Sequence, residues 1–444
     1  MIVLFWMASI WLVSEAFFRR RCFDIFSVAA AGSLIYFLPG FFGWVGHDGH
    51  RAGVPVREIL PETYLVWIVV LLAQVFALRS FDRELARGRL RPPKFLGSVS
   101  NLSALNQWIP YALAAMGVVL TFLDGGAALN SRNKVDVMEV IGRGHILWYA
   151  GAVVGAGFSA YRRSRLGLLA FVFLAGLHAF VGFRLGIGTG IAVILAVHLG
   201  DGRRLSLVRE HKFTALLALI GLVGLFLWKP IYPFLKSGDI DGLMRRFDSA
   251  EAFLQPLLRA EPFATQSVMN EVVAVHFDSS GEQFLELVKK VRVVPAELLP
   301  EFRSFNQQFQ PELFPWAHGG LSGNPWSEAY ALLGWPGILI FLGLFLVAVR
   351  SLSRMFLLGA PGVRVLASVL GVFWCVYFHR NQMVVEVNLL VRLVGVWTVA
   401  MLPQLVQMVR TTRRRRGRVN RLDPGLAHST NGLRRSHSIQ FPRG

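Results

Sequence analysis

Two side chains suited to proton transfer stand close together in Phe314-Pro-Trp-Ala-His318-Gly-Gly-Leu-Ser-Gly-Asn-Pro-Trp-Ser-Glu328-Ala-Tyr330. An imidazole or a carboxyl poised near neutral pH abstracts a hydroxyl proton efficiently. His318 and Glu328 are therefore the candidate general bases. Each also has a plainer reading: His318 as a loop histidine in water, and Glu328 as a first-turn acid behind an Ser327 cap. A second set is cationic. Arg184 lies at a bend among Gly182, Gly186, Gly188 and Gly190, and Arg380 lies in the turn His379-Arg380-Asn381-Gln382. Arg392 follows Glu386 and Asn388 in an apolar stretch. Glu386 and Arg392 do not share one helical face, so any pairing runs through neighbours. A guanidinium binds two phosphate oxygens at once with its planar fork. Bases beside such forks suit group transfer from a diphosphate at a membrane surface.

Other arrangements are weaker. Asp239-Ile-Asp241 has the spacing of a metal-binding acid pair, and helix capping before Gly242 explains it equally well. His47-Asp-Gly-His50 reads as a solvated loop more readily than as a metal site. Cys22 and Cys375 form no CxxC, which argues against disulfide and metal roles. There is no phosphate-binding P-loop, no GxSxG, no HExxH and no dinucleotide fingerprint. No metal or cofactor is expected.

The elements that must position these residues are membrane helices. Of 444 residues, 54% are hydrophobic and only 16% charged, against about 25% charged in a soluble domain. Apolar runs near membrane-spanning length recur, and strand alternation is absent, so the spans are helical. The expected fold is an all-α polytopic integral membrane protein with about eleven transmembrane helices. Their expected bounds are 2–18, 25–45, 64–78, 108–123, 146–161, 166–183, 185–199, 213–228, 329–349, 363–378 and 383–402. The first lacks a basic leader and a cleavage site and reads as a retained span.

The net charge of +19 sits in clusters between the spans. That is the positive-inside pattern rather than a nucleic-acid surface. With Arg19–Arg21, Arg79–Lys94, Arg162–Arg165, Arg203–Lys212 and Arg350–Arg364 in the cytoplasm, the N-terminus falls outside and the C-terminus inside. The membrane domain is expected over 1–409, including a large outer loop over 229–328. That loop carries helical periodicity around 243–258, 265–275 and 282–291, and reads as a helical cap on the outer membrane surface. The tail 410–444 is arginine-rich and poor in apolar residues. It reads as a disordered topology anchor able to meet anionic lipid heads.

Val294-Pro-Ala-Glu-Leu-Leu-Pro300, Phe309-Gln-Pro-Glu-Leu-Phe314 and Gly320-Leu-Ser-Gly-Asn-Pro-Trp-Ser-Glu328-Ala-Tyr330-Ala-Leu-Leu-Gly334-Trp-Pro-Gly337 resemble the Wzy-type O-antigen polymerases, which join oligosaccharide repeat units. The likeness covers 166–402 in outline. It departs at Gly182-Phe-Arg184, where Gly-Ser-Arg is often seen. The resemblance implies a GT-C-like membrane glycosyltransferase of the bacterial inner membrane, working without a metal on the periplasmic side. Its substrate would be an oligosaccharide on undecaprenyl diphosphate, with membrane lipids and a chain-length regulator as partners. Arg184, Arg380, Arg392 and Tyr330 would bind substrate, and His318 or Glu328 would handle the acceptor hydroxyl. An O-antigen ligase or a lipid-linked oligosaccharide flippase is the alternative. Against a flippase, the spans show no internal repeat.

Overall fold

In the computed structural model the described residues are 1–19, 23–46, 57–91, 102–126, 129, 137, 142, 144–200, 231, 234, 236–245, 261–290, 302–315, 321 and 323–419. His318, His47, His50, Cys22 and the expected eighth span lie outside them. Helix dominates. The only sheet among the described residues is an antiparallel pair, β1 (Trp44–Val45) with β2 (Arg57–Glu58).

The helices are α1 (Ile2–Val13, continued by a π turn to Arg19), α2 (Ile25–Tyr36), α3 (Pro39–Phe42), α4 (Pro61–Ala86), α5 (Ala104–Gly125), α6 (Gly144–Arg162), α7 (Arg165–Phe180) and α8 (Leu185–Leu199). Next come α9 (Ile240–Arg245), α10 (Glu261–Ala274), α11 (Glu282–Lys290), α12 (Phe305–Leu313) and α13 (Pro325–Leu333). The chain closes with α14 (Trp335–Leu358), α15 (Pro361–Tyr377) and α16 (Met383–Val419).

Five helical stretches among the described residues are long and apolar enough to cross a membrane: Ile2–Arg19, Pro61–Ala86, Ala104–Gly125, Trp335–Leu358 and Met383–Gln404. With the shorter apolar helices packed among them, they make the chain a multi-pass membrane protein. Two expected spans are corrected. The second ends at Tyr36, after 12 residues. At 1.5 Å per residue that is about 18 Å, too short to cross. Leu38-Pro39 starts a new turn there, and Trp44 and Val45 enter the strand pair. The ninth does not run through from Ala329. Gly334, at φ 61°, breaks the chain between α13 and α14, a backbone conformation that glycine adopts without strain.

Local chemistry sets the other helix starts. The Asp24 carboxylate accepts from the Phe26 and Ser27 amides to cap α2. Reciprocal capping boxes open α5 (Ser103/Asn106), α12 (Ser304/Gln307) and α13 (Asn324/Ser327). Small residues let α5 and α6 approach closely: a Cβ on Gly151 would stand 2.5 Å from the Pro110 carbonyl oxygen.

Among the described residues, the basic segments at Arg19, 79–91 and 350–354 are tied to one another. Arg19 and Arg79 both pair with Glu15, at 2.7 and 2.5 Å. Arg350 pairs with Glu84, Arg354 donates to the Arg91 carbonyl at 2.6 Å, and Arg162 donates to the Leu102 carbonyl at 2.5 Å. The segment expected to form a surface cap differs from that expectation at α10. α10 is packed into the bundle on nearly every side, polar residues included. Gln266 accepts from the Trp67 indole at 3.1 Å. Asn270 accepts from the Leu60 amide (2.9 Å) and the Thr63 hydroxyl (3.0 Å) and donates to the Glu58 carbonyl (3.1 Å). Those bonds offset the burial cost that would otherwise keep such side chains at the surface.

Candidate anion site

Arg184 and Arg380 come from turns far apart in the sequence and meet at one atom. Arg184 Nη2 lies 2.8 Å, and Arg380 Nη2 2.6 Å, from the same Oε1 of Glu261. The pieces are placed by helix ends. Arg184 stands at the N-cap of α8, after a turn at Gly182 (φ 111°). Arg380 lies in the link between α15 and α16, and Glu261 is the first residue of α10, followed by Pro262. An acid before a first-turn proline is well placed at a helix N-terminus.

Arg380 Nη1 also donates to the Tyr377 hydroxyl at 3.1 Å, and its guanidinium lies 5.3 Å from the Tyr377 ring centroid. Tyr377 is held flat against Phe373, 4.6 Å away and 6° from parallel. Burial works against the Arg380 charge. Glu261 outweighs it, with help from Tyr377 and Tyr36, so the guanidinium is held above the usual arginine range. The side chains of Arg184, Glu261 and Arg380 keep 20, 26 and 21% of their surface. The cluster is neither fully sealed nor freely solvated. Among the described residues the cluster holds two guanidiniums and one carboxylate, and paired guanidinium forks suit an anion with several acceptor oxygens.

The residue next to Arg380 behaves differently. His379 is fully buried. The Trp326 indole donates to its Nδ1 at 3.0 Å. An indole can only donate, so Nδ1 carries no proton and Nε2 does. Nε2 then donates to the Ser33 hydroxyl at 2.9 Å, which also accepts from Gln74 at 2.7 Å. Burial lowers the His379 pKa to about 3. A neutral imidazole thus ties α2, α4 and α13 beneath the Arg380 turn.

Glu328 and Tyr330 also face inward. Glu328 is 1% exposed, and its Oε2 accepts the Met383 amide at 2.9 Å. It caps α16 rather than its own helix. Burial pushes its carboxyl up to about 7 against the opposing pull of that amide. Tyr330 donates to Glu62 at 2.7 Å, as Trp335 does at 3.0 Å. Burial, then Glu62, raises its hydroxyl to about 12. The Trp326–Tyr330 stretch therefore bolts α13 to α4, to α16 and to the Arg380 turn.

Arg392 is apart from the cluster, on the exposed side of α16 beside a cleft that Lys289 and Asn388 also line. Glu386 is fully buried on α16, and neither of its carboxyl oxygens has a hydrogen-bond partner among the described residues. Asp239 accepts the Gly242 amide at 2.8 Å, as a cap would. No group of three metal-ligating side chains occurs among the described residues.

Of the arginines singled out from the sequence, the structure brings Arg184 and Arg380 together and sets Arg392 apart; sequence reasoning missed the acid between the first two. Glu261-Pro262, an acid and a proline opening a helix, was the available signal. Comparison with family models, with curated proteins and with solved structures gives no match.

Proposed function

We propose that the chain polymerises oligosaccharide repeat units carried on a polyprenyl diphosphate, building a surface polysaccharide at the outer face of a bacterial inner membrane. The observation that carries this reading is the convergence of Arg184 and Arg380 on one point, at the end of the helices away from the basic loops. Positive-inside charge would put those loops in the cytoplasm and the pair on the periplasmic side. The resemblance of 294–337 to Wzy-type polymerases supplies the reaction class.

In that reaction the acceptor sugar's hydroxyl oxygen attacks the anomeric carbon of the donor glycan. The bond from that carbon to the diphosphate oxygen breaks, and the diphosphate leaves with the electron pair. Arg184 and Arg380 would bind the diphosphate, and their forks would stabilise the charge that develops on it. Tyr377 would orient Arg380. Glu261 would give up part of its hold on the arginines as the diphosphate enters.

The hydroxyl proton would pass to a base, for which the resemblance offers His318 or Glu328. Glu328 suits that task less, because serving as the base would require it to leave the Met383 amide and its sealed position. We assign Glu328 and Tyr330 to holding the frame. A surface-glycan ladder compared between the intact strain and one lacking this chain tests the function. Collapse to a single repeat on the final acceptor is expected. Long chains persisting on the polyprenyl carrier would make the protein a ligase instead.

A further inference from the structure

A cleft of about 750 Å³ runs between α5, α6 and α16, with α11 at its mouth. Its walls are mostly apolar, with Leu120, Leu147 and Val396 among them, and its polar lining includes Lys289, Asn388 and Arg392. Arg392 lies nine positions into the span Met383–Gln404. That is about 14 Å along the helix axis, well inside the apolar layer. A cation exposed there is costly unless something anionic or wet meets it. Lys289 reaches the same cleft from amphipathic α11. The space is open at the helix surface: a Cβ on Gly395 would meet no atom within 4 Å. Cations beside a long apolar wall match an amphiphile with a phosphate head and a hydrocarbon tail.

The cleft flanks the arginine cluster without merging with it. On α6, Tyr149 donates to Thr189 at 3.4 Å and packs against Phe373, while Leu147 and Ala150 line the cleft. The proposed reaction, on which this inference rests, consumes two lipid-linked units at once. The Arg184–Arg380 pair accommodates one diphosphate, so the second needs its own place within reach.

We propose that this cleft holds the polyprenyl chain of the second lipid-linked unit, with Arg392 and Lys289 on its phosphate head and the isoprenoid tail along α16.

The test uses the full-length protein in lipid nanodiscs and a photoreactive polyprenyl monophosphate as probe. Lys289→Gln and Arg392→Gln together should weaken capture of the probe by about tenfold or more. Gly395→Leu fills the cleft, keeps both charges and suits a helix, and it should weaken capture to a similar extent. Binding of inorganic pyrophosphate to the Arg184–Arg380 pair should stay unchanged in all variants, which also reports an intact fold. Undiminished capture in Gly395→Leu would overturn the proposal. Displacement of the probe by phosphatidylglycerol as effectively as by unlabelled polyprenyl monophosphate would overturn it as well, since the cleft would then be a bilayer-lipid site. Failure of the polymerase reading shows separately, as an unchanged glycan ladder on loss of the chain.

Discussion

His379 and Arg380 are neighbours in one turn, yet they belong to opposite kinds of structure. His379 is sealed, neutral and fixed on both ring nitrogens. Arg380 keeps a fifth of its surface, carries charge and shares its carboxylate with Arg184. The first belongs to a knot that also contains Trp326, Glu328 and Tyr330, where each of these groups points at another helix. The second belongs to a partly exposed cluster that holds two guanidiniums and one carboxylate among the described residues. A buried polar group with its bonds made contributes order. A partly exposed cluster of charged groups is where a ligand gains most. The contrast separates sealed groups from partly exposed ones among residue types that look equally functional in the sequence.

The sharpest way to break the comparison is to remove a cation from the cluster. Arg380→Ala should lower polymerisation by about a hundredfold or more, as losing one preorganised donor to a developing anion does. Folding should survive, because the side chain is partly exposed. The glycan ladder read beside detergent-extracted yield checks both halves. Full-length chains from Arg380→Ala would move the site elsewhere.

Glu328→Gln should do the reverse and leave polymerisation intact, since the amide oxygen still accepts from Met383. Its effect belongs to stability. The folded carboxyl titrates near 7, above its ordinary value of 4.5. The folded protein therefore holds this proton more tightly than the unfolded chain. That stabilisation is complete below about pH 4.5 and is lost as pH rises through 7, amounting to at most about 3 kcal/mol. His379 acts in the opposite sense. Its folded pKa is near 3, below its ordinary 6.5, so stability is present above 6.5 and falls as pH drops toward 3. Together they favour a maximum near pH 6. Thermal unfolding against pH should lose its decline above that maximum in Glu328→Gln. Loss of activity in that variant at every pH would return Glu328 to the chemistry.

Glu261→Gln tests the cluster from its other side. Removing the carboxylate charge leaves two guanidiniums facing each other, and inorganic pyrophosphate should bind roughly tenfold more tightly, most visibly at low salt. Weaker binding would mean that Glu261 chiefly holds the arginines in place.

Much of the frame was legible because apolar runs bounded by arginines leave few alternatives. α4, α5, α14 and α16 fall on expected spans. The break at Gly334 was harder to see. Trp335 and Pro336 look like a continuation until the backbone is known to need a positive φ there. α10 was recognised as a helix, but not as an interior one. Gln266 and Asn270 read as surface residues unless their partners on α4 and near β2, some 200 positions away in the chain, are known. The same long-range pairing hid Glu261. Glu328 and Tyr330 could not be resolved in the same way, since their partners Met383 and Glu62 lie 55 and 268 positions away in the chain.

Tyr330→Phe gives the smallest effect and the finest discrimination. The substitution keeps the ring and removes one hydroxyl donated to Glu62. A hydrogen bond to a carboxylate contributes about 1.5 kcal/mol or somewhat more. Glu62 still accepts from Trp335, so part of its satisfaction remains and the loss should be nearer about 1 kcal/mol. In a chain of this length that is a fall of about one degree in the unfolding midpoint. If Tyr330 only binds α13 to α4, chain-length distribution and turnover should be unchanged at temperatures below the transition. A turnover defect without a stability defect would place the hydroxyl at the substrate and move the boundary between knot and cluster to include α13.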